Sequence, residues 1–146
     1  MGFDINGIKP KNEKGEYFRN NVWWWRKLWL LIGAQGEELY RIQNKLGSAY
    51  PEDFEDIRHT QFIENWRDLN NQGHANDGVT YKKEYHKHVI DTIEWCLKEK
   101  DKEHMNDFFD WIDEEYGEKA NDYPFTWENA EDFLKFLKAN EGFEIW

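Results

Sequence analysis

Tyr17-Phe18-Arg19-Asn20-Asn21-Val22-Trp23-Trp24-Trp25-Arg26 is where side chains able to do chemistry are most concentrated. Arginine, amide and indole together suit a planar anionic ligand, whose ring stacks on indole while a guanidinium forks onto phosphate. Arg19 and Arg26 are seven residues apart. A helix that starts early enough carries both on one side, and Asn20 and Asn21 then stand where free N-terminal amide groups attract anions. Consecutive helical residues point about 100° apart, so Trp23, Trp24 and Trp25 cannot all enter one core. At least one must line a surface, a groove or a second cluster. The same residue types also have structural uses, since indoles fill cores, asparagines cap helices and arginines stack on tryptophan.

His74-Ala75-Asn76-Asp77-Gly78 places a histidine, an amide and a carboxylate on one loop, and loops are where sites tend to be built. His74 with Asp77 has the composition of a general acid–base pair, although no nucleophile accompanies it. Asn76-Asp77-Gly78 is also ordinary turn chemistry. The expected ligand-binding set is therefore Arg19, Asn20, Asn21, Trp23 and Arg26, approached by His74, Asn76 and Asp77, with no catalytic residue assigned. Glu84 and His88 share a helix face while His86 faces elsewhere, which falls short of a metal-ligand set. No metal and no cofactor are expected. Walker, Rossmann and nucleophile-elbow patterns are absent from the sequence, which removes the commonest recognisable enzyme classes.

The elements that must hold these residues follow from periodicity. Phe3, Ile5 and Ile8 alternate as in a short strand, followed by a loop through Gly7, Pro10 and Gly15. A helix is expected from Asn20 or Asn21, with Val22, Trp25, Trp29 and Ile32 on one face and Gly33 and Gly36 closing it. Leu39, Ile42 and Leu46 predict a second helix. Phe62, Trp66 and Leu69 predict a third, which Asn70-Asn71-Gln72-Gly73 breaks. Thr80 is the expected cap of a fourth helix with Tyr81, Tyr85, Val89, Ile93 and Cys96 inward. Met105, Phe108, Phe109, Ile112 and Tyr116 make a fifth, ending at Gly117. Thr126 caps a last helix with Ala130, Phe133, Leu134 and Leu137 inward, before an extended Phe143 to Trp146. The fold class is thus mostly α, a single domain over 1–146 with five or six helices and a small β ribbon from the terminal segments.

Nine tryptophans, seven tyrosines and ten phenylalanines among 146 residues argue for a compact chain, because disordered chains are poor in aromatics. Cys96 is the sole cysteine. It closes no internal disulfide, suits a reducing compartment and reads as a small core residue. The mean hydropathy of -1.03 excludes a membrane span, and Met1 to Pro10 has no apolar region of the kind a cleavable leader carries. A cytoplasmic location is expected. Net charge is -11, unevenly spread. Residues 1–50 hold eight Lys/Arg against five Asp/Glu, whereas residues 51–146 hold 11 against 25. That balance disfavours direct nucleic-acid binding and leaves an acidic surface over 52–132. Exposed indoles would be sticky, which makes a homodimer an expected cover.

Met1-Gly2-Phe3-Asp4, the stretch from Gly15 to Arg26 with Leu28-Trp29, the loop His74 to Gly78, and Tyr123-Pro124-Phe125 through Gly142-Phe143-Glu144-Ile145 resemble a family of small, functionally uncharacterised proteins of bacteriophages, prophages and bacteria. The resemblance covers about a third of the chain. It implies a phage setting within a bacterial host and carries no catalytic assignment. Lys27 departs from the pattern, where similar proteins carry proline, and the chain lacks the cysteine-rich insertion that some of them have.

Three functions compete on these grounds. The foremost is a module that binds a nucleotide-like small ligand at the Arg/Asn/Trp cluster and sequesters a host signal, because sequestration requires affinity and no chemistry. The second is an acidic inhibitor or structural component that binds a host or phage protein. The third, a hydrolase using the His74 and Asp77 pair, ranks last, so the balance is toward a protein that is not an enzyme.

Overall fold

The computed structural model describes residues 2–75, 77–121 and 124–146, the side chains of 116–121 excepted. Strand β1 (Gly2–Ile8) and the last strand, β4 (Gly142–Ile145), pair antiparallel with Ile5 opposite Ile145. The terminal ribbon is present and is larger than expected. Strand β2 (Tyr17–Asn21) adds to the free edge of β1, and β3 (Val79–Lys82) adds to β4, giving the order β2-β1-β4-β3. Alternation decides which face is buried: Phe3, Ile5, Val79, Tyr81, Phe143 and Ile145 all enter the core.

The described residues form five α-helices, α1 (Val22–Gln43), α2 (Ile57–Gly73), α3 (Lys83–Glu99), α4 (Glu103–Asn121) and α5 (Trp127–Lys138), of which α1, α2, α3 and α5 pack against the sheet. Helix α1 starts one residue after Asn21, whose side chain accepts hydrogen bonds from the Trp23 and Trp24 amides. It does not stop at Gly33 or Gly36. The helix expected around Leu39 and Ile42 is the continuation of α1, and Gly36 serves packing instead. A Cβ on Gly36 would lie 2.2 Å from Cζ2 of Trp66, so only glycine lets that indole rest on the backbone. Gly73 plays the matching part on α2, where a Cβ would lie 2.1 Å from Nε1 of Trp29.

This interlock is completed by hydrogen bonds. Trp66 Nε1 donates to the Gly33 carbonyl at 3.0 Å, Trp29 Nε1 to Asn70 O at 3.1 Å and Trp25 Nε1 to Gly73 O at 2.8 Å. His88 of α3 bonds the Gly36 carbonyl at 2.7 Å. Trp25 stacks on Trp29 with centroids 4.8 Å apart, and Phe133 meets both edge-on. The Asn70 and Gly73 carbonyls, in the last turn of α2, are thereby given indole donors.

Two other expectations are corrected here. Thr80 and Tyr81 lie in β3 rather than at the start of a helix, since Tyr81 belongs to the sheet face and stacks on Phe143 at 4.9 Å. Lys83, at φ +55°, then makes the abrupt turn into α3. Helix α4 runs through Gly117 to Asn121. Tyr116 and Tyr123, singled out in the sequence, lie outside the described side chains. Thr126 does cap α5, accepting from the Asn129 amide, and Cys96 is buried, its thiol pushed up to about 12 by burial. Helix α4 rests on a smaller cluster of Leu31, Cys96 and Met105. No described helix is long and apolar enough to cross a membrane.

Candidate functional site

The Tyr17 to Arg26 segment is divided between a strand and a helix, and this division disperses its polar groups. Arg19 is on β2, exposed, with a guanidinium nitrogen 3.8 Å from Asp4, which also accepts the Tyr17 hydroxyl. It does not share a helix face with Arg26. Asn20 is buried and exchanges two amide hydrogen bonds with Asn129, both 2.8 Å. Asn21 is committed to capping. The three tryptophans do diverge: Trp25 is fully buried, Trp23 half-buried and Trp24 38% exposed. Arg26 lies over the Trp23 ring at 5.5 Å, a cation–π pair.

His74 follows the last turn of α2. Burial, and then the nearby Arg26 guanidinium, holds its imidazole below its ordinary proton affinity. The structure therefore brings three of the expected residues, Trp23, Arg26 and His74, into one neighbourhood. Asp77 is exposed and no ion pair or hydrogen bond links it to His74, so the loop dyad does not meet. Asn76 lies outside the described residues.

His74 opens onto a cleft of about 330 Å³ between α1, α2 and α4, within the range of small-molecule sites. Trp29, Gly33 and Ala34 of α1, Trp66 of α2, and Phe108 with Trp111 of α4 line it. Trp111 is 48% exposed. Asn70 and Asn71 sit at the α2 side. Asn70 is only 7% exposed and its Nδ2 donates to Trp66 O at 2.8 Å, while its Oδ1 has no partner. A buried acceptor without a donor costs about 1–3 kcal/mol.

Charge in the cleft is muted. Arg67 reaches its rim and is held in a fork by Glu37, at 2.6 and 3.0 Å. Those Arg67 bonds, with help from Arg41, hold the Glu37 carboxyl below its usual range. The walls accordingly suit a neutral, flat, donor-bearing group, with Arg26 the cation near the His74 end.

Asn70 and Asn71 read in the sequence as a helix break and Trp66 as core, so their part in the cleft is missed there. Trp111 carried a usable signal: it is a large indole off the inward Met105, Phe108, Ile112 stripe of α4. His86 and His88 are each consumed by backbone carbonyls, of Leu137 and Gly36 respectively. Among the described residues, no three of His, Cys, Asp and Glu gather as a metal-holding group. Comparison with family models, curated proteins and solved structures finds no match to this chain.

Proposed function

We propose that the protein is a small-ligand binding module that takes up a nucleotide-like molecule, with its planar base in the α1–α2–α4 cleft and its anionic group toward Arg26. The observation that supports this most is the unpartnered Asn70 Oδ1 beside a cleft walled by Trp29, Trp66, Phe108 and Trp111. Stacking on the exposed Trp111 ring, with the half-buried Phe108 beside it, supplies affinity for a heteroaromatic plane. The Asn70 acceptor selects an exocyclic or ring N–H, and neutral His74 offers one further donor or acceptor. Compared with the cluster read from the sequence, the reading keeps Trp23, Arg26 and His74 and adds the cleft. In the phage setting implied by the sequence resemblance, such a module acts by sequestering a host signal.

The test is a thermal-shift titration with adenosine, guanosine, their monophosphates, cyclic dinucleotides and ADP-ribose. A ligand at 100 times its Kd stabilises by about 2.7 kcal/mol, and for a chain of this size that raises Tm by roughly 5–10 °C. Trp111→Ala, at an exposed wall, removes the shift while leaving the unliganded Tm in place. Arg26→Ala weakens the nucleotide more than the nucleoside. No shift across the panel, or a shift that Trp111→Ala retains, overturns the reading.

A further inference from the structure

Beyond Ala34 and Phe108, which it shares with the cleft, a second groove of about 590 Å³ runs on along α1 to Ile42. At 1.5 Å per residue, Ala34 to Ile42 spans about 12 Å of helix axis. Its polar lining is rich in acceptors, with the His104 imidazole beside them. Gln35 is 8% exposed and its Oε1 has no hydrogen-bond partner. The Glu38 and Asp107 carboxylates flank it, and neither is ion-paired among the described residues. Among the described residues, no lysine or arginine lines the groove. The remaining walls are the Trp95 ring, which has His104 on one side at 6.2 Å, and the apolar Ile42 and Phe108.

An alkylammonium ion fits each of these features. It brings three donors and no acceptor, which answers an amide oxygen and two carboxylates. Its charge is attracted to an indole, and its methylenes lie on apolar walls as a lysine stem does. We infer that this groove is a binding site for a linear aliphatic polyamine. The inference does not rest on nucleotide binding, because amine titration uses no nucleotide and Trp111 does not line this groove.

Isothermal titration calorimetry with spermidine and putrescine at constant ionic strength tests it. Glu38→Gln/Asp107→Asn is expected to raise the spermidine Kd roughly tenfold, as for two lost ion pairs of modest strength. Gln35→Met raises it as well. Glu64→Gln/Asp68→Asn, which removes the same charge from the exposed face of α2, leaves it within twofold. Urea midpoints of the groove variants equal to or above that of the parent show that the fold is kept. Equal weakening by the two charge pairs, or competition by magnesium chloride as effective as by putrescine, would reduce the effect to general acidity and overturn the site.

Discussion

The two sides of α1 are built to different standards. Toward the sheet and α2, the buried indoles Trp25, Trp29 and Trp66 each donate to a main-chain carbonyl, and glycine notches bring rings onto backbone without a gap. Toward α4, the buried cluster is small, Trp111 is half in water, and Asn70 and Gln35 leave oxygens unpartnered. A core tolerates neither voids nor orphaned polar groups without a cost in stability. Apart from the Tyr81 hydroxyl, the unpartnered buried side-chain oxygens among the described residues lie on this flank, where the proposed ligands are placed.

The largest effect that separates the two sides comes from neighbouring glycines on α1. Gly36→Ala drives a methyl into Trp66 and is expected to cost about 2–3 kcal/mol through overpacking. Gly33→Ala faces Asn70 at an ordinary 3.5 Å and should gain up to about 1 kcal/mol in helix propensity. Urea denaturation of both checks the contrast, and similar losses at the two positions would break it. Next, Trp29→Phe leaves the Asn70 carbonyl without its indole donor and should cost about 2 kcal/mol. Trp111→Phe, at the exposed wall, stays within about 0.5 kcal/mol.

How much of this is legible in the sequence depends on the range of the interaction. Caps and amphipathic stripes are local, so the Thr126 cap, the inward faces of α3 and α5 and the terminal strands can be read directly. Gly36 reads as a stop because a glycine that admits a distant indole has the same one-letter signature as one that ends a helix. Thr80 reads as a cap because nothing near it announces that Tyr81 will pair across to Phe143, 62 residues on. The site divides in the same way. His74 and Arg26 were visible as chemistry, whereas Asn20 and Asn21 looked available until Asn129 and the α1 amides took their hydrogen bonds. The cleft itself arises from three helices whose order in the chain does not disclose it.

Acid probes the well-satisfied side. His86 and His88 are buried, and burial lowers the pKa of each below its ordinary value. Above about 6.5, the unfolded value, both are neutral in either state and the fold keeps its full stability. As pH falls below that, the unfolded chain takes up protons first, so stability is lost toward the depressed folded values. A second loss follows in the carboxylate range, as Glu37 and Asp56 are protonated, the latter held at about 2 by Arg58. His88→Gln keeps an N–H for the Gly36 carbonyl and removes one titrating group. Urea midpoints between pH 8 and 5 should show a shallower decline for that variant, and an unchanged decline would place the early loss elsewhere.

The smallest effect is the most discriminating, because the core contains one exception to its own rule. Tyr81 is fully buried, its hydroxyl has no hydrogen-bond partner, and burial raises its pKa. The Trp29 indole N–H beside it is already given to Asn70. Tyr81→Phe and Gln35→Met each delete an unsatisfied buried oxygen at nearly constant shape, so each should leave stability unchanged or raise it by up to about 1 kcal/mol. Stability alone does not separate them. Spermidine affinity does: Gln35→Met should weaken it and Tyr81→Phe should not, because the tyrosine oxygen is enclosed by the sheet and α1 whereas Gln35 lines an open groove. If the two variants behave alike toward the amine, the orphaned oxygen of Gln35 is a packing defect like that of Tyr81, and the contrast between the two sides of α1 reduces to one of packing density.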